Sequence, residues 1–327
     1  MPSPREGCTF EYNEETYFIQ KVNQNAKTIT LDKDFEHLGN IITTIVYNIA
    51  QGQASHAEGS ATKTTGDGAH SEGRRTEAGG HYSHAENYYT IATGTGAHAE
   101  GGQTEASGNY SHAEGLLTVA EGANSHSEGH SSIAKGPQSH AEGQSTQSNG
   151  WTSHAEGHSS ISEGQFSHAE GKSAQARGRS SHAEGEESQA TGMYSHSEGY
   201  KSLAQGNYSH SEGSQTQSTA NYSHSEGSQS KANGSCSHAE GCNTQANGAN
   251  SHAEGNNTVA GDDSHAEGNK AQATGYISHA EGYNTLASGA QSHAEGHTSQ
   301  AIGVASHAEG SSVIAKGTYS HAEGSQT

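Results

Sequence analysis

Apolar residues are scarce in this chain. Only 28% of its 327 residues are hydrophobic, with four Phe and one Trp, and the mean hydropathy is −0.92. That excludes an ordinary globule, because so little apolar surface cannot offset the entropy of ordering so long a chain. No run approaches the ~18 apolar residues of a membrane helix, and the first dozen residues lack the apolar core of a secretory leader. Basic residues are few as well: 15 Lys and Arg against 36 Asp and Glu, a net charge of −21 with His neutral. Such a surface disfavours nucleic acid and anionic membranes as partners, and no membrane insertion is expected. The three Cys, Cys8, Cys236 and Cys242, form no disulfide framework. Cys236 and Cys242 flank one candidate strand, and six extended residues span about 20 Å, too far for a disulfide. Both read as free thiols, or at most as links between chains. Proline, with three residues, is rarer than in most disordered tracts.

Glycine and histidine are abundant, with 44 and 25 residues, and the His keep phase. Ser-His-Ala-Glu-Gly, or a close variant, returns twenty times. It carries His56 and Glu58, His70 and Glu72, His84 and Glu86, His98 and Glu100, and His112 and Glu114. His126 and Glu128, His140 and Glu142, His154 and Glu156, His168 and Glu170, and His182 and Glu184 follow. Then come His196 and Glu198, His210 and Glu212, His224 and Glu226, His238 and Glu240, and His252 and Glu254. The last are His265 and Glu267, His279 and Glu281, His293 and Glu295, His307 and Glu309, and His321 and Glu323. The step is 14 residues except from His252 to His265, where it is 13. Disordered tracts do not hold such a period; stacked solenoids do.

One unit, Ser111 to Asn124, reads SHAEG, LL, TVAEG, AN. Five residues suit a short strand and two suit a tight turn, with Gly closing each strand where unusual dihedrals are needed. Each unit is thus one coil of two strands, and coils stack as parallel ladders about 4.8 Å apart. The 13-residue coil is expected to shorten its second strand, Thr258 to Gly261, and to kink locally. Asn87 stands in for the motif Gly, as a residue that tolerates left-handed dihedrals. Residues 1–50 differ. Strands are expected at Cys8–Tyr12, Tyr17–Val22, Thr28–Leu31 and Ile41–Ile49, making a small β cap or the end of an upstream domain. Residues 51–327 form the repeat shaft. The last repeat is cut short at Thr327, so the chain reads as a piece of a longer protein.

Strand residues alternate between faces. In the second strand Thr104, Ala106 and Gly108 make a small face, while Lys63 and Thr65, Arg75 and Glu77, Leu117 and Val119, or Gln245 and Asn247 occupy the other. The small face is the coil interior and the varied face is solvent. In the first strand Ser111, Ala113 and Gly115 join the interior, so His and Glu point away from the coil. Yet these do not vary, so something constant meets them at each level. The simplest constant partner is another copy of the chain.

The pattern resembles the head repeat of trimeric autotransporter adhesins (the YadA-like head), also met in bacteriophage tail-spike and tail-fibre proteins. Ser-His-Ala-Glu-Gly falls on that family's Ser-Val-Ala-Ile-Gly, and Thr-x-Ala-x-Gly on its Ser-x-Ala-x-Gly, over about residues 52–327. The resemblance implies an all-β, left-handed parallel β-roll of 14-residue two-strand coils, packed as a homotrimer with this face on the axis. It also implies a structural fibre segment of an extracellular, cell-surface or virion protein. The family's Val and Ile become His and Glu here, so the axis would be ionisable.

Buried carboxylates need donors, and a His–Glu network that holds chains in register is the expected role of this ladder. If each His gains a Glu partner on assembly, its pKa rises above about 6.5, and the stabilisation is full below that pH and lost at alkaline pH. No cofactor is required. A transition metal held on the axis by imidazoles of three chains is the alternative, because no close ligand cluster is expected within one chain. Calcium is disfavoured by five Asp without an RTX-type repeat. Twenty identical levels define no catalytic pocket, so no enzyme is expected. The disordered outer face argues against ice binding. Aromatics recur two residues before the motif His, at Tyr82, Tyr110, Phe166 and Tyr319. Tyr194, Tyr208 and Tyr222 do so on consecutive coils, as a candidate stripe for a cell-surface receptor or glycan. His130, His158 and His297 are expected to face solvent.

Overall fold

A computed structural model describes the backbone of residues 9–12, 15–23 and 28–31, and residues 48–326 in full. Two compact units divide the chain, Met1–Ser131 and Ser132–Thr327. The first contains an antiparallel three-stranded sheet of β1 (Thr9–Tyr12), β2 (Glu15–Asn23) and β3 (Thr28–Leu31), in that order. Its middle strand is irregular between Ile19 and Lys21. Of the strand expected at Ile41–Ile49, residues 41–47 lie outside the described residues. Ile49 and Ala50 pair with Lys63 and Thr64 and so begin the coil stack.

In both units the coils form a parallel β-solenoid. Each has a long strand, such as His112–Leu116, and a short one, such as Val119–Ala120. The long strand starts at His rather than Ser and runs one residue past the Gly. Only two of the five residues expected in the second strand pair as one. Long strands align in parallel register, His98 on His112 and Glu100 on Glu114 in the first unit, His210 on His224 and Glu212 on Glu226 in the second. Short strands do the same, Ala204 on Ser218. Turn backbones are bonded coil to coil too: the Tyr208 N–H donates to the Met193 carbonyl at 2.8 Å. The repeat therefore satisfies its backbone almost wholly through neighbouring coils, which answers how so polar a chain stays folded.

Among the described residues the interior holds mostly Ala, Ser and Thr, with Val313 and, at the start of the stack, Asn48 as the exceptions. Ser111, Ala113, Thr118 and Ala120 are buried, as foreseen. Where Ser replaces interior Ala, hydroxyls pair, as Ser148 with Ser153 at 2.6 Å and Ser197 with Ser202 at 2.8 Å. The Ser that opens most motifs caps its turn, Ser111 Oγ donating to the Gly108 carbonyl at 2.7 Å, whereas Ala69 and Ala97 hold this place in two coils.

Several local expectations are corrected. The motif glycines, Gly115 for example, are at the surface, not in the interior. Gly115 is required because φ is +107° and a Cβ would fall 2.2 Å from the Gly129 carbonyl oxygen. Asn87 does adopt a left-handed φ of 79°, but its long strand shrinks to His84–Ala85. The second glycine is different: Gly108 keeps an ordinary φ, and a Cβ there would meet the Gly122 oxygen at 2.0 Å. Most left-handed turn residues are not glycines but residues such as Leu117, Arg75 or Tyr208, with φ of 60°, 59° and 57°; Gly68 and Gly96 are exceptions. Leu117 and Arg75 thus belong to a turn rather than to the second strand. The 13-residue coil loses its residue from a turn, and both strands survive, His252–Asn256 and Val259–Ala260. His252 and His265 still stack at 4.8 Å, so no kink appears in the ladder.

Candidate functional site

The two faces of the long strand follow from its alternation. Ala113 is buried, while His112 and Glu114 stand outward, their side chains 35% and 37% exposed. Parallel register then places each imidazole on the next. Ring centroids lie 4.8 Å apart at 2° for His98 and His112, and 4.8 Å apart at 3° for His182 and His196. Stacking hides much of each ring, since His56 at the start of the ladder is 63% exposed. The ladder tilts locally, with 28° between His265 and His279 and 22° between His279 and His293.

Within coils such as those of His98 and His154, His Nε2 faces the Glu carboxylate without a normal hydrogen bond. The separation is 3.6 Å from His98 to Glu100 and 3.8 Å from His154 to Glu156, beyond the 2.7–3.2 Å range of protein hydrogen bonds. Nε2 is buried and has no hydrogen-bond partner in His98, His112, His154, His168, His182 and several others. Buried polar atoms are normally satisfied, so this face leaves hydrogen-bonding capacity unused in the single chain.

Its electrostatics say the same. His84, His98, His154, His182, His210, His224, His238 and His279 are all held below the ordinary imidazole pKa, first by burial and next by a stacked imidazole. Nearby carboxylates oppose this but do not outweigh it. Glu86 is pushed up to about 7, mainly by a hydrogen bond with the Glu100 carboxyl, then by burial and Glu72. Glu156 is raised by burial, then by Glu170 and Glu142. Two like charges at the coil spacing repel by about 1 kcal/mol in bulk water and several times more near a protein surface. In the chain alone the imidazole shift thus runs opposite to that expected for a His paired with Glu.

The expectation that no ligand cluster exists within one chain is overturned. His98, Glu100 and His112 each offer a ligand atom within 4.8 Å of the others, as do His154, Glu156 and His168. Alternating sequence positions could not reveal this, because the third ligand comes from the next coil.

Tyr194, Tyr208 and Tyr222 stack at 5.0 and 5.1 Å and are exposed. Each ring covers its neighbour's face, so edges and hydroxyls meet solvent. Tyr110 packs over the preceding turn, where a Cβ on Gly96 would fall 2.7 Å from its ring. His130, His158 and His297 are exposed at the ends of long strands. Cys236 and Cys242 are free and exposed; Cys8 lies outside the described residues. Among the described residues no helix is long and apolar enough to cross a membrane.

Architecture and ladder define a histidine-rich parallel β-solenoid repeat protein. No protein-family model matches the chain, and no curated protein matches it.

Proposed function

We propose that this chain is a structural fibre segment that assembles as a parallel homotrimer through its His–Glu face. In this reading it spaces a binding tip from its anchor, as a left-handed β-roll in a cell-surface adhesin or a phage tail fibre or spike. The observation that carries it is the contrast between the two outward faces. The short-strand face changes from coil to coil, whereas the long-strand face repeats His and Glu while leaving Nε2 atoms buried and unpartnered. A second and third copy would bring donors to the carboxylates and acceptors to the imidazoles. Protonating all twenty motif imidazoles would shift the charge from −21 by 20 units to −1, so assembly can be tuned by proton uptake without importing counterions. The structural role needs no catalytic group, and none is assigned.

Light scattering at neutral pH, with and without a chelator, tests this. A mass of three chains in both conditions is expected. A monomer in both would overturn the proposal. A trimer only without chelator would make metal part of the interface.

A receptor-binding role for Tyr194, Tyr208 and Tyr222 is a second reading, favoured by their exposed stack. Loss of binding to target cells or glycans on Tyr208→Ala is expected; unchanged binding would leave the stack as packing between turns.

A further inference from the structure

We propose that the long-strand face binds divalent transition-metal ions, zinc or nickel, at sites built within one chain. Each site takes the imidazole of one coil, the glutamate of the same coil and the imidazole of the next. The inference rests on the ladder geometry and not on the proposed trimer.

Three observations converge. First, the ligand atoms are close. His98, Glu100 and His112 gather within 4.8 Å in the first unit, as do His154, Glu156 and His168, and His168, Glu170 and His182, in the second. An ion about 2.0–2.1 Å from each of four tetrahedral ligands holds them roughly 3.3–3.4 Å apart, and the same-coil pair of His98 and Glu100 is near that span at 3.6 Å. Second, the nitrogens are uncommitted: Nε2 of His98, His112, His154, His168 and His182 is buried without a hydrogen-bond partner. A neutral imidazole nitrogen of this kind is a ready ligand. Third, the rings can move. Adjacent rings stack at 4.8 Å, so the third ligand must close by roughly 1.4 Å to complete a tetrahedral site. Tilts of 22° and 28° elsewhere in the ladder show that its rings need not stay parallel.

Two imidazoles and one carboxylate suit zinc or nickel rather than calcium or magnesium, which prefer all-oxygen sets. A fourth position would be left to water. Each positive ion would also relieve the repulsion along the carboxylate ladder. The sites are not independent. His112 belongs to the cluster of His98 and to that of His126, and His168 is shared likewise. One Nε2 binds one ion, so occupied sites must alternate, with no more than one ion per two coils.

The test uses the full chain without an affinity tag, stripped with chelator and titrated with Zn²⁺ by calorimetry, with bound metal counted after dialysis. Saturable uptake of several ions per chain, not above one per two coils, is expected. It should persist when the exposed His130, His158 and His297 are replaced by Gln. Replacing Glu100, Glu114, Glu142, Glu156 and Glu170 by Gln should lower capacity by about three ions, since the five sites, by sharing imidazoles, hold one ion in the first unit and two in the second. Circular dichroism of this variant checks that the coils remain. No uptake, uptake lost when His130, His158 and His297 are replaced, or capacity unchanged in the Glu variant would each overturn the inference. Parallel light scattering separates it from the trimer: metal uptake by a monomer leaves the inference standing while the assembly fails.

Discussion

Each coil turns two faces outward, and they differ in kind. The short-strand face carries Val119, Gln189, Leu203 or Lys231 with little order, and its ion pairs are local and exposed, such as Lys63 with Glu77. The long-strand face carries the same acid and base at every level, half-buried along most of the ladder and exposed at its ends. Backbone pairing is parallel on both, so sheet formation does not explain the contrast. A face that varies beside one that holds a single pair is what the proposed assembly would require, and buried Nε2 atoms without a partner lie on the face it would use.

The most damaging way to probe the contrast is to place Leu at three positions of one coil. Ala183→Leu, inside, should cost about 3 kcal/mol or abolish local folding, because the coil has no room for a larger side chain. Gln189→Leu, outside on the short strand, should stay within about 0.5 kcal/mol. Denaturant midpoints read both; equal losses would remove the distinction between interior and exterior. His182→Leu should disturb assembly in the proposed trimer more than Gln189→Leu does, measured as dissociation on dilution.

Next in size is Gly213→Val. With φ at +115° and a Cβ 2.1 Å from the Gly227 oxygen, the substitution should cost about 1–3 kcal/mol and shorten the long strand locally, as Asn87 does. Hydrogen exchange of the flanking coils would show the loss; unchanged protection there would contradict it.

Acidification should have a smaller graded effect, and its sign sharpens the comparison. The lowered pKa of His84, His98, His154, His182 and their like means that the unfolded chain binds protons more readily than the folded one. Their contribution is full above about 6.5 and declines as pH falls below it. Glu86, raised to about 7, acts in the other sense: its contribution is present at low pH and is lost as pH rises from the ordinary carboxylate range through about 7. With eight such imidazoles against two such carboxylates, the isolated chain with chelator present should have a lower unfolding midpoint at pH 5.5 than at pH 7.5. An assembly with His–Glu pairs between copies should respond oppositely. Midpoints at low and high protein concentration would expose the reversal, and one pH profile at all concentrations would count against the assembly.

Smallest is Lys172→Ala. Its partner Glu186 lies 2.8 Å away but both are well exposed, and surface pairs of this kind contribute little. No measurable change in midpoint is expected; a clear loss would mean the outer face contributes more than exposed pairs should.

The order of the coils was legible in the residues alone. Phase at 14 residues sets coil length, and alternation sends Ala113 inward and His112 outward. Both are properties of a single strand, so no neighbour is needed to read them. The glycine chemistry was only half legible. Gly108 and Gly122 are spaced like strand ends, yet the reason for Gly108 is a carbonyl on the next coil, and the left-handed turns fall to Leu117 and Tyr208 because coil-to-coil hydrogen bonds hold them there. The tertiary structure alone decided two further points. Stacking at 4.8 Å brings His112 to the ligand pair of His98 and Glu100, and the same stacking buries the imidazoles beside one another so that their pKa falls. Both depend on the distance between coils, which no residue states by itself.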